Sequence, residues 1–257
     1  MSLEGTDLDK LALSTEKLLA GTDSKITTVG YYCNPIQYAD HRKTLEKVIC
    51  TAEKFGATHV STFAGAWEGK PVESAYEEFG KVFRELADLA EEKGVKLGIE
   101  NCLMNGTWEH ATCNIGFNPK AWEAMFEEVK NDNFGLEWEP THQMVQLIDP
   151  VTELRKWCKK IVHIHGKDAT IDWDAVRHSG ISGAVPFVWH RMPGFGDTNW
   201  RDIISILRSN GYEDDICIEG YHDPVYSGEL EMTGQLHALN YLKWCRGGEF
   251  TPTPWEK

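Results

Sequence analysis

Four short stretches of this chain carry residue types able to hold a hard metal ion and to move protons. They are Glu100-Asn101, Glu137-Trp138-Glu139-Pro140-Thr141-His142, His163-Ile164-His165-Gly166-Lys167-Asp168 and Glu219-Gly220-Tyr221-His222. Each stands at or just after the end of a β-rich apolar run. Glu100, Glu139, His165 and Glu219 together supply three carboxylates and one imidazole. That mostly oxygen set suits one divalent ion, Mn2+ first, with Mg2+, Co2+ or Zn2+ as alternatives, whereas thiolates or several histidines would point to zinc. A cation held this way polarises a carbonyl and a neighbouring hydroxyl and acidifies the C–H between them, so that a nearby carboxylate can remove the proton. The chemistry is enolisation of a carbonyl compound with a neighbouring hydroxyl, a feature that a small polyhydroxylated carbohydrate would offer.

Each residue also has a plainer reading. A single carboxylate at a strand end is as often a helix N-cap or a surface charge. The side chains of His163 and His165 share one strand face, and one of them could be a hydrogen-bonded core histidine. His165 is taken as the ligand and His163 as its support. Glu137 and Glu139 likewise share a face, and either could be the ligand, with Glu137 alternatively a charge paired inside the protein. Pro140 restricts Glu139 to extended backbone, which favours Glu139 projecting from the strand end. The cysteines receive no catalytic role, Cys102 and Cys217 being read as small core or supporting residues. Trp108 and Trp189, close to the charged stretches, are candidates for a pocket wall.

The elements that must position these groups alternate. An amphipathic stretch covers 8–19, then a strand 26–32, a helix 44–54, a strand 58–63, a long helical stripe 72–89 closed by Gly94, and a buried-type strand 95–100. Further strands are predicted at 134–138, 161–165, near 185–190 and 216–219, with helices at 119–130, 150–159, 199–210 and 229–245. Such alternation implies a parallel sheet, either a closed barrel or a doubly wound open sheet. Gly194-Phe195-Gly196 comes late and lacks the strand-to-helix context of a dinucleotide site, so the barrel is preferred. In a barrel the C-terminal strand ends converge on one face, where active sites are built. About seven strands are expected, and nothing before residue 26 reads as a first one.

The 257 residues fit one barrel-sized domain, with an N-terminal helical segment at 1–25 and a C-terminal tail at 246–257. Lys plus Arg number 26 against 40 Asp plus Glu, a net charge of −14 without any basic run, so no nucleic acid partner is expected. Seven cysteines without a C-x-x-C pair fit reduced thiols in the cytoplasm. No stretch approaches the ~18–20 apolar residues that span a bilayer and no signal-peptide profile opens the chain, so no membrane partner is expected. Assembly into a homo-oligomer is left open.

Taken in order, Ile99-Glu100-Asn101, Gly135-Leu136-Glu137-Trp138-Glu139-Pro140-Thr141-His142, His163-Ile164-His165-Gly166-Lys167-Asp168, Arg191-Met192-Pro193-Gly194-Phe195-Gly196-Asp197 followed by Trp200, and Ile218-Glu219 resemble the sugar (phosphate) isomerase/epimerase family of xylose-isomerase-like barrels. The similarity covers roughly residues 26–245. It implies a TIM (β/α)8-type barrel, atypical at its first β/α unit. It also implies metal ligands at Glu100, Glu139, His165 and Glu219, with Glu100 and Glu219 doubling as the acid/base pair on opposite faces of the substrate carbon. His142 and Arg191 match substrate-contacting positions, and Lys167 and Asn34 are further pocket candidates. Glu139 stands where the family usually has aspartate, one methylene shorter.

The expected activity is therefore a metal-dependent isomerase or epimerase of a keto-sugar, polyol ketone or sugar phosphate, working through an enediolate. Two alternatives keep the barrel. One is a lyase of the inosose-dehydratase or keto-glycoside-eliminase type, in which the same enediolate expels a β-oxygen. The other is a non-catalytic relative, suggested by the short N-terminus and the Glu139 substitution.

Overall fold

The structure is a computed structural model that describes residues 5–249 and 251–253. The outermost parts of the expected N-terminal segment (1–4) and C-terminal tail (250, 254–257) lie outside the described residues. In chain order the elements are α1 (Leu8–Leu19), β1 (Thr28–Gly30), α2 (Ala39–Thr51), β2 (His59–Thr62), α3 (Tyr76–Glu92), β3 (Lys96–Glu100), α4 (Pro119–Glu128), β4 (Phe134–Trp138), α5 (Pro140–Met144), α6 (Pro150–Trp157), β5 (Ile161–Gly166), β6 (Asp168–Ile171), α7 (Trp173–Ser179), β7 (Val188–Arg191), α8 (Trp200–Ser209), β8 (Ile216–Ile218) and α9 (Glu231–Cys245). Two compact units are present, Met1–His142 with Lys160–Ile164, and Gln143–Lys159 with His165–Lys257. The boundary falls inside β5, between Ile164 and His165.

In the first unit the strand order is β1-β2-β3-β4-β5, every neighbouring pair parallel. All of β2 and β4, and β3 after Lys96, are buried, as strands covered on both faces must be. The cover on α3 follows from its spacing: Phe79, Val82, Phe83, Leu86 and Ala90 form one buried stripe. Phe79 and Phe83 stack at 4.5 Å and both approach Phe134 of β4, at 6.2 and 6.0 Å between ring centroids. At Gly135 a Cβ would lie 2.4 Å from the Lys160 carbonyl oxygen, so the close approach of β4 to the start of β5 requires glycine there.

In the second unit β8 lies beside the end of β5, the Glu219 N–H donating to the Gly166 carbonyl at 3.1 Å. Helix α8 buries Trp200, Ile203, Ile206 and Leu207 and packs on α6 and α9. The loops before α6, α7 and α8 end in Asp149, Asp172 and Asn199, whose side chains accept from the backbone N–H groups of Thr152, Ala175 and Asp202.

Two expectations need correction. The strand anticipated near 185–190 as one of the alternating series is instead β7, antiparallel to β6 in register Asp168↔Arg191 through Ile171↔Val188. The residues give the reason: Val188-Trp189-His190-Arg191 carries polar groups and is only half-buried, whereas a strand sandwiched between helices reads as continuous apolar residues. The strand anticipated at 26–32 shortens to Thr28–Gly30, because the chain leaves the sheet before Asn34 and Pro35. The expected count of about seven becomes six sheet strands and the two-stranded ribbon β6-β7. Among the described residues only α1 precedes β1.

Candidate functional site

In the first unit, β3 ends on Glu100 and β4 ends one residue before Glu139. Both side chains are buried, and their carboxylates each offer an oxygen within 4.8 Å of the other. Two asparagines fix the backbone that carries them. Asn101 donates to the Glu139 carbonyl at 2.9 Å and accepts from the Glu139 N–H at 2.7 Å. Asn114 donates to the carbonyls of Glu100 and Cys102 at 2.9 and 2.8 Å and accepts from the N–H groups of Ala64 and Gly116 at 3.0 Å each. Pro140 opens the short helix α5, which brings His142 Nε2 to 3.3 Å from Glu139 Oε1. Cys102, read from the sequence as a small supporting residue, places Sγ within 4.8 Å of donor atoms of both Glu100 and His142.

Glu137 and His163 form a separate buried pair. They are register partners across β4 and β5, with His163 Nε2 at 3.8 Å from Glu137 Oε1, and Tyr32 Oη donates to Glu137 Oε2 at 2.8 Å. His163 also lies 3.4 Å from Thr28 Oγ1 and 5.8 Å, ring to ring, from His59. Asn34 is buried in a loop network. Its amide donates to Ala66 and Glu68 and accepts from the N–H groups of Gln37 and Ala66.

In the second unit, His165 at the end of β5 sets Nδ1 3.0 Å from Glu219 Oε2, and Lys167 donates to Glu219 Oε1 at 2.7 Å. Lys167 is buried, so its ammonium is matched by the carboxylate beside it. Arg191, the last residue of β7, bonds through Nε to Asp223 Oδ2 at 3.3 Å. Trp189 is exposed on the same strand, and Trp108, in the first unit, donates to Glu73.

Two further aspartates organise the second unit. Asp168 is fully buried and accepts from the N–H groups of Ala169, Gly194, Gly196 and Thr198, between 2.9 and 3.3 Å. Burial pushes its carboxyl up, and the bonds from Thr198, Gly194 and Ala169 only partly oppose that. Asp223 shows the reverse. Burial again raises it, but the N–H groups of Tyr226, Met192 and Val225 together with Arg191 outweigh burial and hold it below the ordinary carboxylate range. Residue type and spacing alone assign no role to Asn101, Asn114, Asp168 or Asp223. Asn101 and Asp168 sit inside the metal-binding stretches and Asp223 precedes Pro224, a turn-forming pair, but their partners are up to 50 residues away.

Chemically, the first unit supplies two hard carboxylate donors with a histidine next to them. The second supplies an imidazole and a carboxylate flanked by a lysine. No helix among the described residues is long and apolar enough to cross a membrane.

Comparison with known proteins adds relatives. The sequence model of a family described as xylose isomerase-like TIM barrel matches residues 6–243. An inosose dehydratase of Clostridium tetani is 26% identical over 227 residues, which is 85% of this chain and 72% of the relative. Among solved structures, the IOLI protein with a bound zinc atom aligns with TM-score 0.70 at 19% identity, covering 97% of this chain and 85% of the other. An L-ribulose 3-epimerase aligns with TM-score 0.66 at 16% identity, covering 96% and 83%.

Proposed function

We propose, from the premise that the chain belongs to the xylose isomerase-like TIM-barrel family, that it is a divalent-metal-dependent enzyme that removes the proton beside the carbonyl of a small keto-polyol and then expels the β-hydroxyl as water. Glu100, Glu139, His165 and Glu219 are the ligands of one ion, and Glu100 and Glu219 are the acid/base pair. The elimination outcome is favoured by the relative at 26% identity, which carries the name inosose dehydratase.

The observation that carries the metal is the Glu100–Glu139 pair. Two carboxylates with oxygens within 4.8 Å of each other, both buried, repel and lose hydration, and a dication offsets both costs. When bound, such an ion polarises the substrate carbonyl and the adjacent hydroxyl. The residues do the rest. Glu219, steadied on one oxygen by Lys167 and on the other by His165, takes the proton from carbon. Glu100, protonated at the start of the cycle, gives its proton to the departing β-oxygen as the C–O bond breaks, so the ketone becomes an unsaturated ketone plus water. The proton taken by Glu219 is passed through solvent to restore Glu100. His142, Arg191 and Lys167 hold the substrate hydroxyls, while Asn34, its amide taken up by Ala66, Glu68 and Gln37, shapes the loop beside them.

Epimerisation is the second reading, favoured by the same two glutamates, because a proton returned to the opposite face of the carbon inverts it without loss of water. Incubation of the Mn2+-loaded protein with keto-inositols and ketoses in D2O separates the outcomes. Enone absorbance with loss of one water from the product mass supports elimination. Deuterium at the carbon next to the carbonyl with the skeleton intact supports epimerisation. A chain that retains no metal and exchanges no proton across the panel sinks both.

A further inference from the structure

The loop from Arg191 to Thr198 is suspended between two buried carboxylates, Asp168 at one end and Asp223 at the other. The Asp223 anchor touches a functional side chain. Its Oδ1 accepts from the N–H groups of Val225 and Tyr226, both at 2.8 Å, and its Oδ2 accepts from the Met192 N–H at 2.7 Å and from Arg191 Nε at 3.3 Å. The guanidinium carbon of Arg191 lies 5.8 Å from the centre of the Phe195 ring, and that ring stacks on Tyr226 at 4.1 Å and on His237 at 4.0 Å. Arg191 is thus held along its Nε edge and against one face. Among the described residues nothing bonds to its two terminal amino groups, and the side chain keeps 20% of its surface.

Asp223 itself is placed by the turn that follows Glu219 at the end of β8. Its N–H donates to the Gly220 carbonyl at 3.2 Å, closing a tight turn in which His222 adopts φ +71°, a left-handed conformation that non-glycine residues seldom take. Only three residues separate Glu219 from Asp223. The position of Arg191 is therefore referenced to Glu219 through one short, hydrogen-bonded turn.

We infer that Asp223 is a positioning residue. By occupying the Nε edge of Arg191 it leaves the two terminal amino groups as an end-on fork for a pair of neighbouring substrate oxygens, and it ties that fork to the turn bearing Glu219. The inference rests on the metal-dependent reaction proposed above. A vicinal oxygen pair, as in adjacent hydroxyls of a polyol, matches two parallel N–H donors in a way that a single ammonium does not.

The test combines a spectroscopic and a kinetic measurement. With 15N-arginine labelling, and Arg191→Lys to assign the signal, the intact protein shows a slowly exchanging Arg191 Nε–H that Asp223→Asn abolishes while the circular dichroism spectrum is kept. With a keto-inositol as probe, Asp223→Asn lowers kcat/KM about tenfold, mostly through KM, the loss of one charge-assisted hydrogen bond. Arg191→Ala lowers it further, and adding Asp223→Asn to Arg191→Ala costs nothing more, because the aspartate acts through the arginine. Arg191→Lys does not restore activity. Additive losses in the double variant, or a rapidly exchanging Nε–H in the unaltered protein, overturn the inference. If the unaltered protein leaves the probe untouched, it is the proposed reaction that fails, and the Nε–H signal alone then decides the orientation of Arg191.

Discussion

The two compact units anchor their functional side chains by different means. In the first, neutral amides do the fixing: among the described residues Asn101 and Asn114 bond to backbone alone and hold the segments that carry Glu139 and Glu100. In the second, carboxylates do it: Asp168 and Asp223 gather backbone N–H groups, and Asp223 also holds a charged side chain. The carriers differ as well. Strands β3 and β4 are buried almost throughout, whereas β8 is three residues long and partly exposed. A neutral amide adds no charge beside two crowded glutamates. A carboxylate beside Arg191 sets both direction and charge, so the second unit trades tolerance of pH for control of a cation.

The largest effect in this comparison is expected at Asn101. Asn101→Ala leaves the buried N–H and carbonyl of Glu139 without their amide partner, a cost of about 1–3 kcal/mol. It should also weaken Mn2+ binding about 10–100-fold, the usual penalty for losing a group that orients a metal ligand. Glu139→Gln, which removes the proposed ligand itself, sets the reference in the same titration, read by calorimetry and metal analysis. Unchanged metal affinity in Asn101→Ala, alongside a clear loss in Glu139→Gln, would show that the amide serves folding only.

The fold was legible where the pattern was long and its ends were punctuated. Helix α1 spans the expected 8–19, β4 the expected 134–138, and α6 starts where Asp149-Pro150 signals a cap followed by proline. It was illegible where elements are short. Strand β6 follows β5 after the single residue Lys167, and α5 and α7 have five and seven residues, too few for a period to emerge. The same holds at the site. The proposed ligands Glu100, Glu139, His165 and Glu219 are picked out by residue type at strand ends, but nothing local in Asp223 tells that its partner is Arg191, 32 residues earlier. Side-chain types are written in the sequence, while the bonds that aim them depend on which strand ends the fold makes neighbours.

A medium effect, and one confined to the second unit, is expected from pH. Asp223 lies below the ordinary carboxylate range in the folded protein, so its contribution is fully present above the unfolded value of about 3.9 and is lost as pH falls through the lower folded value. Asp168 is raised, so its folded form binds the proton more tightly than the unfolded chain does, and its contribution improves as pH falls through the raised value toward the ordinary range. The stability gap between the unaltered protein and Asp223→Asn should therefore shrink on acidification, and the gap to Asp168→Asn should widen. Denaturant unfolding from neutral pH to about pH 3 reads both. Slopes of the same sign would mean that the two anchors do not differ in the way their hydrogen bonds indicate.

The smallest effect marks where the contrast between the units should vanish. Helix capping is local, so it ought not to depend on which unit holds the helix. Asn118 caps α4 in the first unit by accepting from the Lys120 N–H at 2.9 Å, and Asp149 caps α6 in the second by accepting from the Thr152 N–H at 2.6 Å. Both bonds are exposed, and both helices begin with proline. Asn118→Ala and Asp149→Ala should each cost about 1 kcal/mol, a fall of about 2–4 °C in Tm. Asp149 has one additional term: its charge also meets the positive end of the helix, so that variant should lose a few tenths of a kcal/mol less in high salt than in low salt, and Asn118→Ala should not respond. A cap worth several times more in one unit than in the other would show that the units differ in overall cooperativity, and the contrast drawn between amide and carboxylate anchors would then have to be measured against that background.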